Sequence, residues 1–268
     1  MTRITAVALA SSDVERLSRF YRQTFGFEVC PAPHGAQGGL DEGQAPQLML
    51  RLGLQHIAIV PAGKGPVYCT AVANSPAFQH FAIVTGDMDA AYRHLETVTD
   101  WAPISRAGPE HLPERSGGVL AYKFRDPDGH PLELLQFAGK TVPDYWRGQA
   151  EHAPLFWGID HTAIAVRDTQ RSVAFYRQYG FEPDARSLNH GIQQDRLDDV
   201  DSAHVEVTAL TCAGAPPHLE LLCYRNMLPM QGSVDEGVAA TRTLLADVPT
   251  GQASGVTEDR DGHRLLIS

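Results

Sequence analysis

Cysteine is scarce in this chain, four in 268 residues (Cys30, Cys69, Cys212 and Cys223), and no two of them stand in a C-x-x-C pair. That usage excludes a disulfide frame and a thiolate zinc site, and it reads as buried thiols in a reducing, cytoplasmic setting. Long apolar runs are also lacking. No stretch reaches the roughly 18 residues of a membrane-spanning helix, and the start "MTRITAVALASSDVERL" is too short in apolar residues for a signal peptide. There is no basic stripe, and the net charge of −10 is spread thinly, so nucleic acid and membrane surfaces are not expected as partners. A glycine-rich phosphate loop following a strand is missing too, which argues against nucleotide cofactors. With 43% hydrophobic and 20% charged residues, the composition suits two ordinary domains whose partner is a small molecule.

What the chain does contain is repetition. "AVALASSDVERLSRFYRQTFGFE" (6–28) returns as "HTAIAVRDTQRSVAFYRQYGFE" (161–182), and "RDPDGHPLELLQF" (125–137) returns as "EDRDGHRLLIS" (258–268). A repeat on this scale sets the architecture before any motif is read. "RITAVALA" has the character of a strand, and Asp13 is placed to cap a helix carrying Val14, Leu17, Phe20 and Tyr21 at helical spacing. Three more strands are expected in "GFEVC" and "PQLMLRLGLQHIAIV", on either side of a Gly/Pro-rich stretch over 31–46.

The order then recurs: strand "AFQHFAIV", Asp87 as cap, a helix with Met88, Ala91, Tyr92 and Leu95, and the strands "GVLAYKFRD" and "PLELLQF" joined at the tight turn "DPDG". Residues 138–157 break the pattern with proline, glycine and charge, as a linker would. A third unit runs from "WGIDHTAIAV" to "PHLELLCY". A fourth, from "AATRTLLADV" to "DGHRLLIS", has too few residues for the helix and middle strands of the others. The expectation is an α+β chain of four tandem βαβββ units, the last truncated, in domains 1–137 and 158–268 on either side of the linker.

Units of this order, with an "HTAIAV…FY…GFE" opening and a "DPDGHPLELLQF" ending, resemble the vicinal oxygen chelate superfamily. That superfamily includes glyoxalases, bleomycin-binding proteins and extradiol dioxygenases. The resemblance covers almost the whole chain and implies two half-barrel cups, with metal ligands on the first and last strand of each unit. Carried over by position, the first-strand sites are Ala6, His80, His161 and Arg242, and the last-strand sites are Ala58, Glu133, Glu220 and Leu266. Units two and three each keep one His and one Glu, whereas units one and four keep nothing that binds a cation. The resemblance therefore implies that unit two faces unit three, with His80, Glu133, His161 and Glu220 in one cup, and that the cup of units one and four is vestigial.

Two imidazoles and two carboxylates suit a divalent Fe, Mn, Ni, Co or Zn ion and leave positions open for a substrate. Alternation puts Phe78, His80 and Ala82 on one face, and likewise Ile159, His161 and Ala163, and His218, Glu220 and Leu222. Each candidate ligand is thus flanked mostly by apolar residues. "SLNHGIQQDRLD" offers Asn189, His190, Gln193 and Gln194 as rim residues, with His218 beside Glu220, although a hydrogen-bonded loop accounts for that segment slightly better. His130 and His263 follow the turn glycine in both copies and read as turn structure. Lys123, Arg51 and Arg125 could meet an anionic substrate, but on a solvated strand face they need no such role.

The resemblance implies metal-assisted proton transfer beside a carbonyl on a small oxygen-bearing substrate, in isomerase or lyase chemistry, with Glu133 or Glu220 as base. The alternatives are an Fe(II)-dependent dioxygenase using two histidines and one carboxylate, and a metal-free binding or resistance protein. A monomer or a homodimer is expected, since four units can complete their own cup while the truncated fourth leaves apolar surface that a second subunit would cover.

Overall fold

A computed structural model describes residues 1–33, 48–62, 71–139, 142–148, 154–212, 214–228 and 241–268. The first unit supplies β1 (Arg3–Ser11), α1 (Val14–Phe25), β2 (Glu28–Val29), β3 (Leu48–Leu52) and β4 (Gln55–Pro61). The second supplies β5 (Gln79–Thr85), α2 (Met88–Glu96), β6 (Ala102–Pro103), β7 (Glu110–His111), β8 (Leu120–Arg125) and β9 (Pro131–Gln136). A short helix α3 (Asp144–Arg147) stands in the linker. The third unit holds β10 (Phe156–Ala165), α4 (Thr169–Arg177), β11 (Glu182–His190), α5 (Ile192–Asp198), β12 (His204–Thr211) and β13 (His218–Tyr224). The fourth holds β14 (Arg242–Ala246), β15 (Gly255–Glu258) and β16 (Arg264–Ile267).

The fold is mixed α+β and dominated by its sheets. Three aspartates start three helices in the same way: Asp13, Asp87 and Asp168 accept the backbone N–H of Arg16, Ala90 and Arg171. Each cap is worth about 1 kcal/mol over alanine. The truncated unit differs from expectation in one respect. Among its described residues it has no helix, but one middle strand, β15, survives beside β16.

Two sheets form, and each draws on both sides of the linker. One runs β15-β16-β14-β1-β4-β3-β2 and joins units one and four; the other runs β11-β12-β13-β10-β5-β9-β8-β6 and joins units two and three. The cores follow a different division. One core packs Val7, Leu17, Tyr21 and Ile59 of unit one against Phe81, Ile83 and Leu134 of unit two; a second packs Val173, Tyr176 and Leu219 of unit three against Leu245 and Leu265 of unit four. Full burial of such side chains stabilises by about 1.5–3 kcal/mol each, which fixes the backs of the sheets and leaves their concave faces for other use.

The repeated motifs are the bolts of this arrangement. The Tyr21 hydroxyl donates to Oδ2 of Asp126 at 2.8 Å, and Tyr176 donates to Oδ2 of Asp259 at 3.0 Å. Both aspartates accept, on Oδ1, the backbone N–H groups of the turn they open: Asp128 and His130 in one, Asp261 and His263 in the other. Gly129 and Gly262 take the positive φ of those turns (85° and 90°). Nδ1 of His130 bonds to Asp126 (2.9 Å) within its own turn, and Nε2 of His263 meets the Ala165 carbonyl (2.8 Å), tying its turn to the end of β10.

A β-bulge is also repeated. Along β10, Ile159 pairs with Ile83 and His161 with Ala82, leaving Asp160 as the extra residue; along β1, Ile4 pairs with Leu245 and Ala6 with Leu244, leaving Thr5. The bulge corrects the expected alternation. Ile159 does not share the face of His161 but turns into the core behind the sheet, because one extra residue reverses the side of everything before it.

Candidate metal centre

The register of the second sheet builds the site. Antiparallel β5 and β10 place His80 opposite Ala163 and His161 opposite Ala82. The flanking parallel strands place Glu133 beside Ala82 and Glu220 beside Ala163. Two alanines therefore form the floor, with a His and a Glu disposed around each. The first sheet has the same register with other residues: Ala8 faces Arg242, Ala6 faces Leu244, Ala58 lies beside Ala8 and Leu266 beside Leu244. There Ala6, Ala8, Met49, Ala58, Leu244 and Leu266 pack into an apolar cluster.

The four expected ligands come together. The rings of His80 and His161 lie 5.6 Å apart between centroids. Nε2 of His80 is 3.1 Å from Oε2 of Glu133, and Nε2 of His161 is 3.7 Å from Oε2 of Glu220. His80, Glu133 and His161 each offer a ligand atom within 4.8 Å of the others. Both ring nitrogens of His80 and Nε2 of His161 are buried without a hydrogen bond, the approach of His80 to Glu133 being a close ion-pair contact that lacks hydrogen-bond geometry. Leaving such a group unsatisfied costs about 1–3 kcal/mol, a cost that coordination of a cation would remove. Two imidazoles with such nitrogens, beside two carboxylates, are a donor set that fits a divalent metal ion.

The electrostatics distinguish the two His/Glu pairs. Burial, reinforced by the Lys123 ammonium, pulls His80 below its ordinary value, so it is neutral and its lone pair is available. Burial also opposes charge on His161, but Glu220 and Asp160 overcome it and push the imidazole up to about 9. For Glu133, burial is outweighed by His80 and Lys123, and the carboxyl stays below its usual range. For Glu220, burial is outweighed by His161 and His218, again keeping the carboxylate ionised.

Around the ligands lies a cavity of about 810 Å³, with Leu135, Phe137, Val205, Val207 and Leu222 among its apolar walls. Asn189 and Gln194 line it and are buried, and His218 lines it with Nε2 3.4 Å from Oε1 of Glu220. His190 and Gln193 do not line it. "SLNHGIQQDRLD" is the end of β11 followed by α5 rather than a loop, and strand alternation that points Asn189 inward sends His190 outward, against His204 (5.2 Å between ring centroids). Gln193, half-buried, lies one helical step from Gln194 and off the cavity wall. The thiols are less enclosed than expected: Cys30, Cys212 and Cys223 are half-buried, and Cys69 lies outside the described residues. The Gly/Pro-rich stretch over 31–46 also falls mostly outside them.

Lys123 requires the main correction. It is 4% exposed, not on a solvated face, because α5 covers β8 and supplies Asp198 as a partner, with Nζ to Oδ1 at 2.7 Å. Its Nζ also lies 3.8 Å from Glu133, its cross-strand neighbour. Asp198 accepts in addition from Gln194 and Tyr224, each at 2.7 Å. Arg51 pairs with Glu28 at the surface, and Arg125 donates to the carbonyls of Gly129 and Ala71. The sequence reading places Lys123 on a solvated face and gives no role to Asp198, Asp160 or Trp146. Counting outward from the "DPDG" turn does pair Lys123 with Glu133, and "DH" at 160–161 puts a carboxylate next to a ligand, so two signals were present.

Fold and site together define a protein of tandem βαβββ units with one polar, imidazole- and carboxylate-bearing cup. Residues 3–134, the first two units, belong to the glyoxalase/bleomycin resistance protein/dioxygenase superfamily, whose family model matches them. Glyoxalase I from Zea mays is similar over 99% of this chain and 92% of its own, at 15% identity and a TM-score of 0.62. A single-site mutant of that maize protein matches at 16% identity over 99% and 91% of the two chains, also with a TM-score of 0.62. At such identities the likeness is one of fold. No curated protein matches in sequence. Among the described residues no helix is long and apolar enough to cross a membrane.

Proposed function

We propose that this chain is a metal-dependent enzyme acting on a small oxygen-bearing substrate by proton transfer beside a carbonyl, in glyoxalase-like isomerase or lyase chemistry. The observation that carries the reading is the pair of buried imidazoles with unpartnered nitrogens, set with two carboxylates at the floor of a cavity of about 810 Å³. His80, Glu133, His161 and Glu220 would hold a divalent Fe, Mn, Ni, Co or Zn ion. Such an ion, when bound, supplies Lewis-acid stabilisation of the negative charge that develops on a substrate oxygen.

The carboxylates divide the remaining work. The Glu133 side chain is 9% exposed and pinned between His80 and Lys123, whereas that of Glu220 is 22% exposed and meets the open cavity beside His218. Glu220 is therefore the base: an oxygen of its carboxylate takes the proton from the carbon next to the carbonyl and can return it to the neighbouring carbon. His218 steadies that carboxylate. Leu135, Phe137, Val205, Val207 and Leu222 receive the carbon skeleton. A single chain supplies every residue of this site, so a monomer suffices and a homodimer is not required by it. The cytoplasmic setting read from the cysteines belongs to this reading.

One observation favours a second reading. His80, His161 and Glu133 alone make a compact group of two histidines and one carboxylate, the ligand set of Fe(II) oxygenases. Metal analysis of the purified chain, followed by assays on α-hydroxycarbonyl compounds and catechols, separates the alternatives. Deuterium uptake from D2O at the carbon beside the carbonyl, with Ni(II) or Mn(II) and no oxygen, supports the proton-transfer enzyme. Oxygen consumption with Fe(II) and a catechol supports the oxygenase. A chain that takes up none of these metals would leave the binding protein as the surviving reading.

A further inference from the structure

The bulge in β10 gives the metal cup something that the other cup lacks. In both sheets the bulge inserts one residue immediately before the first-strand ligand position, Asp160 before His161 and Thr5 before Ala6. Thr5 uses its hydroxyl to close the sheet locally, donating to the Leu244 carbonyl at 3.3 Å. Asp160 does something else: the bulge turns its carboxylate toward the cavity that His161 lines. Its Oδ2 accepts from Nδ1 of His161 at 3.1 Å, and its Oδ1 accepts the indole N–H of Trp146 at 2.6 Å.

An ionised carboxylate only accepts, so the shared proton sits on Nδ1 of His161. Nε2, 3.7 Å from Oε2 of Glu220, is then the nitrogen left to meet a cation. Trp146, 1% exposed, comes from α3 in the linker, a segment that belongs to neither His/Glu pair. Its neighbour Tyr145 is tied to unit one by the amide of Gln55, which donates to the Tyr145 hydroxyl at 2.9 Å. The chain from Trp146 to Asp160 to His161 therefore has no slack. One end is set by the packing of the linker helix, and the other aims an imidazole at the metal position.

We propose that Asp160, held by Trp146 of the linker helix, is a positioning residue that sets the tautomer and direction of His161 and thereby the affinity of the cup for its cation. The linker is then a working part of the site and not only a tether between halves. The inference rests on the metal reading above and concerns residues that act through His161.

Cobalt(II) titration of the full-length, metal-stripped chain tests it, with the visible ligand-field band as the reading of site geometry. Trp146→Phe keeps a packed ring and removes the N–H. Asp160→Asn keeps an acceptor for Trp146, and Asp160→Ala removes both bonds. Loss of such an outer partner weakens metal binding by about tenfold to a hundredfold, so Trp146→Phe and Asp160→Asn are expected to fall in that range, with Asp160→Ala weaker than Asp160→Asn and the cobalt band shifted in all three. Variants that bind cobalt with wild-type affinity and an unshifted band overturn the proposal. So does weaker binding with an unshifted band, which would make the contact a matter of general stability. A wild-type chain that takes up no cobalt defeats the metal reading itself, a result that cannot be confused with the other two.

Discussion

Nε2 of His80 lies 3.1 Å from Oε2 of Glu133, while Nε2 of His161 stands 3.7 Å from Oε2 of Glu220, the carboxylate with more than twice the side-chain exposure of its counterpart. The two pairs are related by the repeat but not equal in constraint. Glu133→Gln and Glu220→Gln should therefore differ in kind. Glu133→Gln is expected to strip the metal, because it removes the pinned carboxylate. Glu220→Gln is expected to keep most of the metal while lowering proton exchange by about 10²- to 10⁴-fold, the usual worth of a general base. Metal content per chain and the exchange rate, measured on the same samples, check this; equal metal loss in both variants would remove the distinction.

Metal affinity should depend on pH through His161. In the metal-free protein its imidazole is pushed up to about 9, so at neutral pH a proton occupies the ring that a cation must use. Affinity is expected to rise by about tenfold per pH unit up to about 9 and level off above, with one proton released per ion. The sign of the stability effect is the reverse. A raised imidazole value stabilises the metal-free fold fully below the unfolded value near 6.5, and that contribution is lost as pH rises through about 9. Calorimetric titration in buffers of different ionisation enthalpy counts the protons; a pH-independent affinity between about 7 and 9 would contradict the assignment.

The four-unit order, the helix caps at Asp13 and Asp87, and the convergence of His80, Glu133, His161 and Glu220 were legible because repeats preserve position, and alternation assigns a face to each position. Asp160 was not, because a bulge is invisible to a period of two and reverses the face of every residue before it. Lys123 was misplaced for a related reason. Its burial depends on α5, a helix from another unit that a reading of β8 alone does not contain. His190 and Gln193 cannot be told from Asn189 and Gln194 in a segment whose composition reads as one loop; as strand then helix, only some of its positions reach the cavity.

Lys123 and Asp198 have almost fully buried side chains, 5% and 0% exposed. Removing one member of such a pair strands a charge and costs about 3–5 kcal/mol, whereas removing both charges together is often close to neutral. Lys123→Met should thus lower the urea-unfolding free energy by about that amount. Lys123→Met combined with Asp198→Asn should recover most of it, since the amide that replaces the carboxylate still offers Tyr224 and Gln194 an acceptor oxygen without a stranded charge. The double variant should also loosen Glu133, which loses its cross-strand cation. If the single variant unfolds at the wild-type urea midpoint, the pair has no part in holding the wall of the cup.

The repeat makes its own prediction about stability. Tyr21 and Tyr176 occupy matching places in α1 and α4, and each donates to a buried aspartate that organises a turn in the following unit. A hydrogen bond to a charged acceptor is worth about 1.5–3 kcal/mol, so Tyr21→Phe and Tyr176→Phe should each destabilise by roughly that much. The two bonds lie in separate cores, one shared by units one and two and the other by units three and four, so the double variant should show the sum of the single effects. Neither bond touches the metal cup, and cobalt affinity at a temperature where all variants are folded is expected to match the wild type. Chemical denaturation with a cobalt titration alongside checks both halves of the statement. Strong non-additivity would mean that the two cores unfold as one coupled unit despite their separate packing.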